Sequence, residues 1–372
     1  MIQMLNLSRE HALIRKEIDA AIASVIDSSA FIKGTAVQTF ESELAEYLSV
    51  DHVIGCANGT DALQLALMSL DLQEDDEVII PGFTYIATAE VISLLKLKPV
   101  FADVDPQSFN CTASTIKQVI TPRTKAVIPV HLFGQACPME EILSLANEHQ
   151  FAVIEDNAQS LGVQIPAVTR NRFVEIKHIA TSSFFPSKNL GCLGDGGALY
   201  TNDAELANKL RMLANHGQVK KYEHQLVGCN SRLDSIQAAV LSVKLKQLNS
   251  NNEKRKLVAN FYDSELAELE QVTIPHRTNH SEHIYHQYTI RVTASDRDAL
   301  QLWLKEKNIA STIYYPKPVY NQEAYKSYNP EGIQLANTEE LCKTVLSIPI
   351  NPTITKEEQE LVVQSIRSYF KN

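Results

Sequence analysis

Residues 182–191 read Ser-Ser-Phe-Phe-Pro-Ser-Lys-Asn-Leu-Gly, and Asp195-Gly196-Gly197 follows closely. The run from His178 to Phe185 predicts a buried strand, and the run from Gly196 to Tyr200 predicts a second one. Lys188 therefore lies in a tight connection between two strands. A lysine amine, with an ordinary pKa of about 10.4, becomes a nucleophile toward carbonyl compounds when it loses its surrounding water. An exposed lysine at a strand corner is the alternative, and this stretch alone does not separate the two.

The composition indicates an enzyme-sized protein with two domains. The 372 residues, 44% of them hydrophobic, exceed the size at which one core stops growing, so we expect domains at 1–250 and 251–372. The net charge of −10 argues against a nucleic-acid or anionic-membrane surface. Residues 1–16 show no signal-peptide pattern, and no run is long enough to span a bilayer. The six cysteines form no Cys-x-x-Cys pair, which is typical of reduced thiols in the cytoplasm.

Strands alternate with helices through the first part of the chain. This alternation predicts a doubly wound, mostly parallel α/β sheet, and ligands of such sheets bind outside the carboxyl ends of the strands. Asn58, Tyr85 and Asp156 each follow a predicted strand, so we expect them at one common edge. Beyond about residue 250 the pattern predicts a smaller α+β domain. The predicted strands before the Lys188 stretch are 52–57, 77–81, 100–105, 126–131 and 151–155.

Two of these strand ends carry groups that suit a ligand. In Asn58-Gly59-Thr60-Asp61, glycine permits close approach, threonine offers a hydroxyl, and the free amides of the next helix favour an anion. The helix dipole contributes only about 0.3–1 kcal/mol, so a tight phosphate site needs further donors. An ordinary helix cap by Asn58 or Asp61 is the alternative. Asp156 likewise allows either a ligand contact or a structural turn cap.

Two later stretches also bear on function. Residues 229–240 predict the start of a long helix with Asn230 near its N-cap. The histidines His276, His280, His283 and His286 fit no single helix face, and no cysteine or acidic pair joins them convincingly. We therefore expect no metal.

The ordered set of motifs resembles the DegT/DnrJ/EryC1/StrS family of pyridoxal-phosphate sugar aminotransferases. Further resemblance lies in 31–34 and 313–316, so it covers nearly the whole chain. Within the family, 184–192 and 230–234 are most similar to enzymes that aminate C3 of a UDP-linked 2-acetamido-2-deoxy-3-keto-hexuronate. The motifs that carry the resemblance are Gly59-Thr60, Tyr85, Asp156-Asn157-Ala158-Gln159, and Ser183 five residues before Lys188.

The resemblance implies an aspartate-aminotransferase-like (type I) fold and a homodimer with active sites at the subunit interface. Lys188 would hold pyridoxal 5'-phosphate as a Schiff base and later move a proton. Asp156 would pair with the ring nitrogen and keep it protonated. Tyr85 would stack on the ring, and Gln159 would contact its 3'-hydroxyl. The phosphate donors would be Gly59, Thr60, Ser183 and, from the other subunit, Asn230.

The resemblance also implies a substrate and a donor. Arg232, Tyr314 and Tyr315 are our candidates for the sugar substrate, because arginine suits carboxylate or phosphate and tyrosine combines an apolar face with a hydroxyl. A salt bridge at the helix start, with Asp234 or a neighbour, is the alternative for Arg232. Glutamate is the family's usual amino donor, and such enzymes serve the synthesis of bacterial surface polysaccharides.

Two departures from the family pattern stand out. Residues 165–173 replace a stretch that is commonly glycine-rich, and Tyr314 stands where many members carry histidine. A dTDP- or GDP-linked keto-sugar is the alternative substrate, since the cofactor motifs do not report the nucleotide. Sugar 3-dehydration on this fold replaces the lysine with histidine, so Lys188 argues against it. A non-catalytic binding or regulatory protein would need no lysine, aspartate and phosphate site together.

Overall fold

The computed structural model describes residues 1–163, 177–329 and 332–371, and within them the predicted α/β sheet is confirmed. Seven strands form the central sheet in the order β1-β7-β6-β5-β4-β2-β3, and β7 alone runs antiparallel to its neighbours. These strands are β1 (His52–Cys56), β2 (Glu77–Pro81), β3 (Lys98–Ala102), β4 (Thr124–Val127), β5 (Ala152–Asp156), β6 (His178–Ser183) and β7 (Gly197–Thr201). Residues 165–173, where the family pattern is broken, lie outside the described ranges.

Helices cover both faces of this sheet, so its central strands are buried on both sides. All five residues of β2 and of β7 are buried, as expected for strands between two helical layers. The helices of this part are α1 (Leu7–Leu13), α2 (Arg15–Ser28), α3 (Thr35–Leu48), α4 (Gly59–Met68), α5 (Ala87–Leu94), α6 (Ala113–Lys117), α7 (Met139–His149), α8 (Ala204–Leu213) and α9 (Ser235–Leu245). A small hairpin of β8 (Gln218–Lys220) and β9 (Glu223–His224) lies between α8 and α9.

The C-terminal part has its own buried cluster around a two-stranded sheet. Its elements are α10 (Leu248–Leu266), β10 (Tyr288–Arg291), α11 (Ala294–Glu306), α12 (Ala336–Thr344), β11 (Val345–Ile348) and α13 (Lys356–Lys371). Ile2 joins this cluster and pairs with Ile309, so the N-terminal residues pack with the C-terminal part. The division at residue 250, which falls inside α10, stays a prediction. Within the described ranges, no helix has both the length and the apolarity to cross a bilayer.

Among the predicted boundaries, the largest differences from the structure are in β3, in β4 and at the start of α9. β3 ends at Ala102. The next residue, Asp103, turns to α12, where its carboxylate accepts the amides of Asn337 and Thr338. β4 ends at Val127, close to Pro129, which has no amide hydrogen for the ladder.

The third difference concerns Asn230. The helix predicted from residue 229 begins only at Ser235, so Asn230 is not near its N-cap. Asn230 instead pairs with Asn215, and the Ser231 amide donates to the Ala214 carbonyl at 3.0 Å. These backbone contacts hold the chain extended before α9.

A pair of buried aromatic rings supports the loop between β6 and β7. Phe184 lies four residues before Lys188 and meets Phe40 of α3 edge to face, with ring centroids 5.4 Å apart. Both side chains are completely buried. The position of the loop therefore depends on packing between α3 and the end of β6.

We expect Phe40→Ala to lower the free energy of unfolding by about 3–5 kcal/mol, because it leaves a cavity beneath Phe184. Urea denaturation measures this loss. Leu257→Ala, at a largely exposed position of α10, is the control and should change stability by less than about 0.5 kcal/mol. A loss for Phe40→Ala as small as that of the control would contradict the supporting role of this ring pair.

Candidate active site

A cleft of about 850 Å³ opens at the carboxyl ends of the parallel strands. Residues just before β10 and the pair Tyr314-Tyr315 form part of its wall. Sheet topology explains the gathering, since β1, β2, β5 and β6 all end at this edge. The predicted site residues that line the cleft are Gly59, Thr60, Tyr85, Asp156, Gln159, Ser183, Lys188, Tyr314 and Tyr315.

Lys188 is held in the cleft by a rigid loop. Its amide donates to the Phe185 carbonyl at 2.8 Å, and the Cys192 amide donates to the Phe184 carbonyl at 2.8 Å. The Lys244 ammonium donates to the Gly191 carbonyl and fixes the end of the turn. Burial lowers the pKa of the Lys188 amine, while the nearby Asp156 carboxylate raises it and so limits the shift. Lys188 is therefore not an exposed corner lysine.

Asp156 is the last residue of β5 and is buried. One carboxylate oxygen accepts the Ala158 amide at 3.0 Å, so the turn cap that the sequence allows is present. The same carboxyl group lines the cleft with Lys188. Burial raises the pKa of Asp156, whereas the Ala158 amide and the Lys188 ammonium lower it. The carboxyl group thus has both a structural contact and access to a ligand.

A second carboxylate lies behind this wall and was missed by the sequence analysis. The Cys137 amide donates to Nδ1 of His131 at 3.1 Å, so a neutral ring carries its proton on Nε2 and donates to Glu155 at 2.8 Å. His178 contacts the other oxygen of Glu155. Burial raises the pKa of Glu155, but the two histidines lower it more, and the net pKa lies below its usual range. The backbone beside Asp156 is therefore fixed by a buried carboxylate that accepts a hydrogen bond from His131 and contacts His178.

The start of α4 forms an anion cradle. Asn58 caps the helix by accepting the Asp61 amide at 2.8 Å, and the amides of Gly59 and Thr60 have no acceptor within the helix. A Cβ on Gly59 would lie 2.6 Å from the Cβ of Ser183, so only glycine allows this close approach. The ordinary helix cap and the anion site are thus compatible, and the hydroxyls of Thr60 and Ser183 add donors.

Aromatic and amide groups form another part of the wall. Tyr85 is 57% exposed, and its ring centroid lies 6.3 Å from that of Tyr315. Gln159 accepts the Phe133 amide at 2.8 Å and donates to the Tyr315 hydroxyl at 3.3 Å. One amide hydrogen of Gln159 remains for a ligand. An exposed ring and a fixed donor suit a flat, polar aromatic molecule.

Thr84 is a further lining residue that the sequence analysis missed. Its hydroxyl is buried and has no hydrogen-bond partner within the described ranges. A buried hydroxyl without a partner is costly, so its position indicates that a ligand completes the site. The sequence could have indicated Thr84 as a site residue, because it stands next to Tyr85 after the same strand.

The structure does not bring Asn230 and Arg232 into the cleft of their own chain. Asn230 is exposed, and Arg232 donates to the Asn215 side chain at 3.1 Å. The described residues show no ion pair between Arg232 and Asp234, so that alternative is not what holds the arginine.

The described side chains that line the cleft carry more negative than positive charge, which does not suit an anionic ligand. Among the described lining residues, the aspartates are Asp61, Asp156 and Asp195, Lys188 is the one lysine, and no arginine is present. A phosphate or diphosphate needs cationic or amide donors. One chain alone offers the α4 cradle and few other groups for that purpose.

Comparison with known proteins places these residues in a family. The profile of the DegT/DnrJ/EryC1/StrS aminotransferase family matches residues 12–367. The chain is 42% identical to a UDP-N-acetyl-3-dehydro-alpha-D-glucosamine 3-aminotransferase of Acidithiobacillus ferrooxidans, over 98% of this chain and 97% of that one. It is 39% identical to a UDP-2-acetamido-2-deoxy-3-oxo-D-glucuronate aminotransferase of Pseudomonas aeruginosa, over 98% and 99% of the two chains.

Two further likenesses were found. A pleiotropic regulatory protein of Geobacillus stearothermophilus is 41% identical over 100% of this chain and 99% of that one. The crystal structure of DesV from S. venezuelae is 38% identical and superposes with a TM-score of 0.94, covering 100% of this chain and 99% of the other.

We expect Asp156→Asn to lower the pKa of the Lys188 amine further, because the Asp156 charge is what raises it. The neutral amine then forms at lower pH. The rate at which Lys188 reacts with an aldehyde probe should therefore follow a pH profile displaced to lower pH, measured by peptide mass spectrometry after borohydride reduction. Exposed Lys177 serves as the internal control. An unmoved profile, or one displaced to higher pH, would contradict the pairing.

Proposed function

Because the chain belongs to the DegT/DnrJ/EryC1/StrS aminotransferase family and is a pyridoxal-phosphate-dependent sugar aminotransferase, we propose that it aminates a UDP-linked 2-acetamido-2-deoxy-3-keto-hexuronate. One observation carries the catalytic part of this proposal, namely the shared position of Lys188, Asp156 and the α4 anion cradle in one cleft. The two UDP-sugar aminotransferases that share 42% and 39% identity support the choice of substrate.

The described cleft residues fit pyridoxal 5'-phosphate. The cradle of Gly59, Thr60 and Ser183 suits the phosphate, and the unpartnered Thr84 hydroxyl requires a polar ligand. We assign Asp156 to the ring nitrogen. When bound, the cofactor supplies a conjugated ring that accepts electrons from the carbon being deprotonated. We further assign Gln159 to the 3'-hydroxyl and Tyr85 to the ring face.

Lys188 and Asp156 divide the chemistry of the reaction. Lys188 would hold the cofactor through its Nζ, which the lowered pKa makes a better nucleophile, and the same Nζ would take up and return a proton at the substrate carbon. The Asp156 carboxylate would hold a positive charge on the ring nitrogen. Tyr314 and Tyr315 line the cleft, and we assign them as substrate contacts. Glutamate is the proposed donor.

We propose that the site is completed by a second copy of the chain. Asn230 is exposed outside its own cleft, which leaves it available to the partner's phosphate site. Arg232, close by, would add a second cation besides Lys188, since no arginine is among the described cleft residues. Phe31 and Ile32 are exposed. They lie next to this stretch, because Ile32 pairs with Asp234. Exposed apolar side chains next to these polar residues support a homodimer interface here.

The proposed setting is the cytoplasm and the synthesis of a surface polysaccharide. All six cysteines are free thiols, which supports a reducing compartment. The alternative substrate is a dTDP- or GDP-linked keto-sugar, because the cofactor motifs do not report the nucleotide. A screen of nucleotide-linked keto-sugars with glutamate separates these choices by product mass.

We expect Lys188→Ala to lower turnover by at least about a thousandfold, because both the nucleophile and the proton carrier are lost. The variant should still bind pyridoxal phosphate reversibly through the α4 cradle and Asp156. Equilibrium titration and an amination assay measure the two effects. Lys177→Ala, at an exposed position, should retain activity. Wild-type turnover in Lys188→Ala would end the proposal.

Mixed dimers test the shared site. Asn230→Asp places a negative charge against the proposed phosphate position, so its homodimers should lose activity. Subunits carrying Lys188→Ala mixed with subunits carrying Asn230→Asp should regain about a quarter of wild-type activity, because half of the two-fold symmetric dimers then hold one intact site. No recovery, after mass spectrometry has verified subunit exchange, would count against a site shared between subunits.

A further inference from the structure

His286 lines the cleft, and neither the sequence analysis nor the reaction described above gives it a role. It lies two residues before β10, is 7% exposed and borders the same cavity as Lys188. The neighbouring backbone is tightly placed, since a Cβ on Gly134 would lie 2.9 Å from the amide of His286. The backbone of His286 therefore has little freedom to move.

A directional chain of hydrogen bonds fixes which ring nitrogen carries the proton. The Asn252 amide group donates to the Leu161 carbonyl at 3.5 Å, which leaves its Oδ1 to accept from Asn189 at 2.8 Å. The Oδ1 of Asn189 then contacts Nδ1 of His286 at 3.0 Å. An amide oxygen only accepts, so Nδ1 must be the donor. Nε2 is left with a lone pair.

The ring is also kept neutral. Burial lowers the pKa of His286 well below its ordinary value, and the positive charges of Lys188 and Arg255 add to the effect. Arg255 is itself buried and donates to the carbonyls of Tyr285 and Ile350. Within the described ranges, Nε2 of His286 makes no hydrogen bond. The cleft thus contains a fixed, neutral acceptor beside Lys188.

The chemistry of the two substrates selects what this acceptor binds. Carboxylate and diphosphate oxygens are themselves acceptors and cannot donate to Nε2. An ammonium group would be repelled by the positive charges of Lys188 and Arg255. Of the groups on an amino acid donor and a nucleotide-linked keto-sugar, neutral hydroxyl and N–H donors remain. Because Lys188 borders the same cavity and acts at the keto carbon, the donors of the keto-sugar ring lie nearer to Nε2 than those of the ribose or the base.

We propose that His286 accepts, at Nε2, a hydrogen bond from a neutral donor on the sugar ring next to the keto carbon, and so acts as a specificity residue. This inference rests on the proposed sugar aminotransferase function. A residue of this kind distinguishes a sugar that carries the hydroxyl or the acetamido N–H from one that lacks it, because an unpaired buried acceptor weakens binding of the wrong sugar.

His286→Asn tests the acceptor alone, because the shorter amide can still donate to Asn189 but ends before the Nε2 position. We expect kcat/KM for the keto-sugar to fall about tenfold while the single-turnover rate with glutamate stays within about twofold. His286→Gln keeps a polar group near the Nε2 position and should retain more kcat/KM than His286→Asn. His283→Asn, whose ring stacks on Tyr285 outside the cleft lining, is the matched control.

Sugar analogues identify the donor. If the 4-hydroxyl donates, the penalty of His286→Asn should disappear with a 4-deoxy sugar, and if the acetamido N–H donates, it should disappear with a 2-deoxy sugar that carries neither the acetamido group nor a hydroxyl at C2. Equal losses in both half-reactions, no loss, or a penalty that persists with both analogues would overturn the inference. Wild-type turnover is measured first, so that its absence with every keto-sugar overturns the proposed function and this inference together.

Discussion

The electrostatic attraction between a lysine amine and a carboxylate that line one cleft is the interaction on which the rest of the site depends. Asp156 ends β5, and Lys188 follows β6, the neighbouring strand, so the order of the sheet brings them together. Burial moves the two pKa values toward each other, lowering that of Lys188 and raising that of Asp156, and their mutual attraction limits both shifts. The cleft thereby holds a more reactive amine beside a carboxylate that can hold a cationic ring.

Hydrogen bonds around this pair run outward into both parts of the chain. Glu155, between His131 and His178, fixes the end of β5 from behind. Asn189, the residue after Lys188, contacts His286, and His286 leads into the C-terminal sheet. The reactive lysine is therefore held by groups from several elements rather than by its loop alone, and small displacements of a catalytic group are costly to the rate.

The sequence predicted the residues that sheet topology gathers. Tyr85, Asp156 and the start of α4 follow parallel strands, and such ends meet at one edge whatever the details of packing. The position of His286 beside the cleft was not predictable, because its partner Asn189 lies 97 residues away. Asn230 was misplaced at a helix start, since its pairing with Asn215 leaves no signal in local periodicity.

The most direct test of the account follows a nitrogen atom from donor to sugar. The purified protein, loaded with pyridoxal phosphate, is incubated with ¹⁵N-labelled glutamate and a UDP-linked 2-acetamido-2-deoxy-3-keto-hexuronate, and the product is examined by NMR. The account predicts ¹⁵N attached to C3 of the sugar, together with 2-oxoglutarate in equal amount. Absence of label from this sugar and from every other nucleotide-linked keto-sugar supplied, with the cofactor bound, would contradict it.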